Sequence, residues 1–283
     1  MSTTTTTTHT SPTPRTRANP DEGLRDAPPR VTPARVVRSE WVKFRTLTSS
    51  WLILGAAAAS LVASAVVIGY TTGTSRAGLA PEDAAPSAVL QGYHLVTLLI
   101  GVLGVLFVTG EYGTGMVRST LAAVPRRVPV LLAKTLVLGV TGLVAMVGAS
   151  VAAYLSGQAV LGHYGYGTSL TASGVLSVVL GTGVYLALVG LLGSAIGWVV
   201  RNTAGGLSTF LGLLLILPLL IGFLPSSLSA NISPYLPSTA GEAFISSVHA
   251  PGTLAPWTGL VVLMGWVVAT LAVAAAQLRR RDA

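Results

Sequence analysis

Few side chains in this sequence are equipped for chemistry, and their spacing narrows what they can do. Among 283 residues there are two lysines, four histidines, nine carboxylates and no cysteine. A phosphate-binding loop needs Gly-Lys followed by Ser or Thr, so that backbone amides and the lysine cradle the phosphates. Lys43 follows Val42 and Lys134 follows Ala133, so neither can be that lysine and the chain is not expected to hydrolyse ATP by itself. Serine hydrolysis within a membrane needs a nucleophilic serine with a histidine partner at depth. No Gly-x-Ser-Gly occurs, and His163 and His249 fall in polar connections. His94 reads as a polar residue at a membrane boundary, with no ligand partner near it in sequence. Without cysteine there are no disulfides, thiolate metal sites or Cys nucleophiles. No catalytic, cofactor-binding or metal-binding set emerges, and no enzyme activity is expected.

The richest stretch is 110–134, GEYGTGMVRSTLAAVPRRVPVLLAK. Gly110, Gly113 and Gly115 permit a sharp exit from an apolar segment. Met116, Val117, Leu121 and Val124 give an apolar stripe for a short helix along the membrane, and Pro125 ends it. Arg126 and Arg127 reach toward head groups. Lys134 lies a turn or two inside the next apolar segment, where its stem can snorkel. Glu111 stands as the one carboxylate at this boundary. Either it pairs with Arg118 or Arg126 and pins a loop, or the short helix is a surface for another protein.

The elements that must position these residues are apolar helices. Hydrophobic residues make up 51% of the chain and charged ones only 9%, against about 25% charged in a soluble domain. Six apolar segments, near 51–70, 89–109, 130–155, 174–200, 205–224 and 257–277, approach the roughly 20 residues needed to span a bilayer. Their centres hold no Asp, Glu, Lys or Arg. A carrier coupled to protons or ions usually places ionisable groups at that depth, which argues against a self-powered carrier. The fold class is therefore all-α: a polytopic membrane protein of six transmembrane helices.

Basic residues alternate between the connections. The N-terminal region, the 111–134 stretch, Arg201 and the C-terminal Arg279, Arg280 and Arg281 together hold 16 of the 17, leaving Arg76 alone on the other side. The positive-inside rule then puts both termini in the cytoplasm, as an even number of spans requires.

Residues 1–32, with six consecutive threonines and several prolines, read as a disordered cytoplasmic tail with no signal-peptide pattern. Residues 33–283 form the six-span membrane domain. At its start, Thr32 and Pro33 suit a helix N-terminus. Val37, Trp41, Phe44 and Leu47 recur at helical spacing, interleaved with Arg35, Arg38, Lys43 and Arg45. That is the pattern of an amphipathic helix in the membrane interface, its apolar side down and its cations toward lipid phosphates.

With these residues in view, the chain resembles the permease subunits of type-2 ATP-binding-cassette exporters, especially actinobacterial ones. Gly110, Glu111 and the Thr114–Gly115 pair, then Thr120–Leu121, Pro125, Arg126–Arg127 and Lys134, are similar to the family's inner connection. ARVVRSEWVKFRTLTSSW resembles the family's N-terminal interfacial helix, and ISPYLPSTAGEAF the outer segment before its last span. The resemblance covers about residues 34–281 and implies the membrane half of an exporter in a bacterial plasma membrane. It implies two such permeases, as a homodimer or sibling heterodimer, and two separate ATPase subunits, with no nucleic acid. The cargo would be hydrophobic or amphiphilic. The 110–134 connection would hold the ATPase-coupling helix, with Glu111, Thr114, Gly115, Arg118, Pro125, Arg126, Arg127 and Lys134 as its site. The 225–256 connection would form a partly helical outer gate. The alternative is a non-transporting membrane sensor that regulates a partner.

Small residues also recur at helical spacing: Gly193 with Gly197, Gly190 with Ser194, and Gly148 with Ala152 and Ser156. Such residues let helices approach closely in lipid, here within one chain or across a seam between two.

Overall fold

The computed structural model describes residues 32–75, 86–116, 128–246 and 252–280, which are helical with no strand among them. Helix α1 is Pro33–Thr46, followed by α2 Thr48–Thr74, the one-turn α3 Pro86–Val89, α4 Tyr93–Gly113, α5 Val128–His163 and α6 Val175–Val200. A fifth long helical stretch, Thr203–Gly222, consists of α7 Thr203–Leu211, a π turn Gly212–Ile216 and α8 Leu217–Gly222. Helix α9 Ser226–Ile232, a 3-10 turn Ser233–Tyr235 and α10 Pro237–Ile245 precede α11 Pro256–Arg280. Among the described residues, helices α2, α4, α5, α6, the α7–α8 stretch and α11 are the six long and apolar enough to cross a membrane. The protein is an all-α polytopic membrane protein.

Close backbone approach holds the centre together. Lipid tails are as apolar as leucine, so spans associate by packing rather than by escape from water. Helices α4 and α6 meet along a glycine seam. A Cβ on Gly104 would collide with the Gly190 carbonyl, one on Gly193 with the Gly101 carbonyl, and one on Gly197 would stand 3.1 Å from the Val105 oxygen. The α6 glycines therefore pack within the chain, whereas Gly148 on α5 has open space where a Cβ would go. Helix α5 packs against α2 and α6, and Ser150 Oγ donates across to the Val179 carbonyl at 2.8 Å.

Two boundaries differ from the sequence reading. The second span starts at Tyr93, because Pro86–Val89 close a separate turn before it. The third runs for 36 residues, about 54 Å at 1.5 Å per residue, well beyond the bilayer core. Its extra C-terminal turns are polar and tied down: Gln158 Oε1 accepts from the Thr168 backbone N–H at 2.7 Å, and Tyr154 donates to the Thr168 carbonyl at 2.9 Å. The π turn precedes Pro218, which has no N–H for the carbonyl one turn back and would crowd it in a regular α-helix.

The bundle has a basic end, where α1 meets the end of α4, the start of α5 and the ends of α6 and α11. Val36, Val108, Val130, Leu131, Trp198, Ala274 and Leu278 form one buried apolar cluster there. At the opposite end, α10 covers α6 and α11, and Trp266 Nε1 donates to the Tyr235 carbonyl at 2.9 Å. The connection expected to be partly helical contains α9, the 3-10 turn and α10.

Candidate functional site

Helix α1 turns an unexpected face to the bundle. Its buried residues are Val36, Glu40 and Phe44, four apart and so on one side of the helix. Val37 packs at the edge of that side, whereas Arg38 is exposed and Trp41 is 39% exposed. The expected amphipathic helix is therefore present, but it is docked on protein, and a carboxylate sits at the centre of its docked face. Phe44 is fully buried and meets Phe107 of α4 edge-on, with ring centroids 5.3 Å apart.

Around that aromatic contact lie two carboxylates and two ammonium groups from three helices. Lys43 and Glu40 come from α1, Glu111 from the last turn of α4 and Lys134 from the second turn of α5. Lys134 Nζ stands 2.8 Å from Glu40 Oε2, a charge contact without hydrogen-bond alignment, and 2.8 Å from Glu111 Oε1, to which it donates. Lys43 Nζ donates to Glu40 Oε1 at 2.7 Å and to Glu111 Oε1 at 3.1 Å. The four charges close a ring. Lys134 Nζ also contacts the Phe107 carbonyl at 3.4 Å and lies 4.2 Å from the centroid of the Phe107 ring, close enough for a cation–π attraction.

Burial grades across the ring. Glu40 and Lys134 side chains are 0% and 1% exposed, Glu111 12% and Lys43 24%. A buried charge is tolerated only when paired, and here each has opposite charges on two sides. At Lys43, burial pulls the ammonium pKa down, but the bonds and charges of Glu40 and Glu111 outweigh it and raise the value.

This arrangement corrects three expectations. Lys134 does not snorkel toward head groups; its ammonium is held inside the protein by two carboxylates. Lys43 faces Glu40 and Glu111, not lipid phosphate. Glu111 is not the one carboxylate at this boundary, since Glu40 lies against the same lysines. Glu40 was passed over because it sits in a basic stretch, although its four-residue spacing from Val36 and Phe44 was there to be read. Of the other expected coupling residues, Thr114 and Gly115 cap α4. Thr114 Oγ1 donates to the Gly110 carbonyl at 3.0 Å, and Gly115 has φ +73°, the left-handed conformation that ends a helix. Arg118, Pro125, Arg126 and Arg127, with the short helix expected there, lie outside the described residues, 118 and 126 being the partners first considered for Glu111.

The chemistry of the ring is mechanical. It contains no hydroxyl or thiol nucleophile, and no group of His, Cys, Asp or Glu suited to a metal occurs among the described residues. It fastens α1 to α4 and α5 where the 110–134 connection leaves and re-enters the bundle.

A smaller polar contact lies at the opposite end. His94 Nδ1 is 3.7 Å from Glu242 Oε1, linking α4 to α10. Burial raises the Glu242 pKa, opposed by the charge of His94.

A protein-family model described as ABC-2 family transporter protein matches residues 36–218. The match starts on the docked face of α1, includes all four residues of the charge ring and ends within the fifth span, before α9, α10 and α11. No curated protein matches the chain.

Proposed function

The chain belongs to the ABC-2 transporter family, as a membrane permease that works with an ABC ATPase, and we propose that it drives export of a hydrophobic or amphiphilic substrate with ATP hydrolysed by separate subunits. Two permeases, identical or sibling, would stand with two ATPases in a bacterial plasma membrane, both termini in the cytoplasm. The ATPases would dock at the basic end. Residues 111–127 would take up their motion, and the Glu40–Lys43–Glu111–Lys134 ring would carry it into α1, α4 and α5. Thr114, Gly115, Arg118, Pro125, Arg126 and Arg127 would shape the docked connection, while Val37, Arg38, Trp41, Lys43 and Phe44 would serve on the interfacial helix.

The observation that carries this reading is the ring itself. It joins three helices by buried charge beside a glycine-bounded connection, in a transporter-family chain with no phosphate-binding lysine. Absence of ionisable groups from the span centres favours an apolar or amphiphilic cargo over a multiply charged one. Affinity purification of the full chain from its native membranes, followed by protein identification, tests the assembly. The expected result is a stoichiometric cassette ATPase whose hydrolysis changes with the permease present. Recovery of the chain with no ATPase would favour a non-transporting regulator.

A further inference from the structure

At the basic end a second polar feature stands apart from the charge ring. Helix α6 ends at Val200, and only Arg201 and Asn202 separate it from α7. Asn202 caps α7 by accepting from the Gly205 N–H at 2.9 Å. Arg201 adopts φ +58°, the left-handed conformation unusual for a residue with a side chain. Its guanidinium is thereby turned back along α6, where Nε donates to the Trp198 carbonyl at 3.2 Å.

That bond uses one part of the guanidinium. Arg201 Nη2 is buried and has no hydrogen-bond partner among the described residues. Arg201 also lines an open cavity of about 540 Å³, together with Val199, Val200, Gln277 and Arg280. Gln277 and Arg280 are three apart on α11, on one face of its last turn. The described lining thus offers two guanidinium groups and a carboxamide, with no carboxylate among its described residues.

Arginines near helix C-termini commonly satisfy the last carbonyls, and the Nε bond does so here. It leaves the charge of two arginines concentrated at one cavity and a buried donor idle. A buried donor is costly to leave unpaired, and a guanidinium matches the planar fork of phosphate oxygens. Basic pockets between spans are suited to anionic lipid head groups.

We propose that this cavity is a phosphate-binding site, in which Arg201 and Arg280 hold the phosphate group of an anionic phospholipid and Gln277 donates beside them. The same phosphate chemistry is offered by free inorganic phosphate, and the membrane setting favours the lipid as its source. A bound lipid would clip the end of α6 to the end of α11, two helices otherwise joined there by apolar packing.

The test uses the full chain in nanodiscs of zwitterionic phosphatidylcholine, titrated with phosphatidylglycerol, or with inorganic phosphate, while melting temperature and lipid retention are read. Wild type is expected to be stabilised saturably by phosphatidylglycerol, and Arg280→Gln, an exposed position, to weaken that binding about tenfold, the loss of one charge-assisted hydrogen bond. Arg201→Lys keeps the charge but loses the fork, and should weaken it as well. Arg279→Gln, a neighbour that does not line the cavity, should leave it unchanged. Saturation by inorganic phosphate alone, sensitive to Arg280→Gln, would keep the phosphate site and identify free phosphate as its source. An equal loss in Arg279→Gln would reduce the effect to general surface charge and overturn the site. So would identical titrations in wild type and Arg280→Gln, or loss of a co-purifying ATPase in Arg280→Gln with lipid binding intact, which would make the pocket a protein contact.

Discussion

Lys134 Nζ lies 2.8 Å from a carboxylate oxygen of Glu40 and 2.8 Å from one of Glu111, so a single buried ammonium joins α1 to α4 from its seat on α5. Removing it would leave two carboxylates facing one another with only the more exposed Lys43 between them. Removing one partner of a buried pair costs about 3–5 kcal/mol. Lys134→Met is therefore expected to lower detergent-phase thermal stability strongly. Restoration by the triple change with Glu40→Gln and Glu111→Gln would confirm that the stranded carboxylates cause the loss; a persistent defect would assign it to packing around Phe107.

Lys43 is the outer member of the ring, and its removal should fall between the ~0–1 kcal/mol of an exposed pair and the loss at Lys134. Its pKa is raised above the usual 10.5: burial lowers it, but Glu40 and Glu111 prevail. The stabilisation it contributes is then fully present below about 10.5 and lost as pH rises through the folded value. Unfolding curves of wild type and Lys43→Met should converge at alkaline pH. A difference that stays constant to high pH would show that Lys43 acts by packing alone.

The glycine seam between α4 and α6 predicts a sharp positional contrast. Gly193→Val would drive the new Cβ into the Gly101 carbonyl, whereas a Cβ added at Gly148 meets nothing within 4 Å. Overpacking costs about 1–3 kcal/mol where neighbours can adjust, and a backbone carbonyl adjusts little. Thermal denaturation of the two variants should separate them, with Gly148→Val close to wild type.

At the opposite end, burial raises the Glu242 pKa, partly offset by His94. For a carboxylate raised on folding, stability is greatest below the usual value of 4.5 and is lost as pH rises from there through the folded value. Glu242→Gln should remove that decline and gain stability at neutral pH. A loss of stability at neutral pH would instead mean that the His94 contact outweighs burial.

The spans were legible because a membrane leaves little choice: runs of about 20 apolar residues become helices, and six were found where six were expected. The α6 glycines were equally readable, since four-residue spacing of small side chains has one dominant use in lipid. The charge ring was readable only in part. Lys43, Glu111 and Lys134 stood out as charges at boundaries, but their partners are 68 and 23 residues apart along the chain, and helical periodicity carries no information about which helix lies beside which. Glu40 was missed for a different reason. Charged residues near a membrane are ordinarily assigned to the solvent side, and only the docking of Val36 and Phe44 on the bundle brings Glu40 inward.

In the proposed assembly, ATPase motion enters through Glu111 and the ring behind it. The most direct measurement is ATP hydrolysis by the purified permease–ATPase complex in nanodiscs, wild type against Glu111→Ala, with assembly verified by co-purification. Glu111 is 12% exposed at the end of α4, and Glu40 still balances Lys134 without it, so six-span insertion and assembly should persist. The expected result is an assembled Glu111→Ala complex whose hydrolysis is reduced to that of the ATPase alone. Wild-type hydrolysis from an equally assembled Glu111→Ala complex would contradict it.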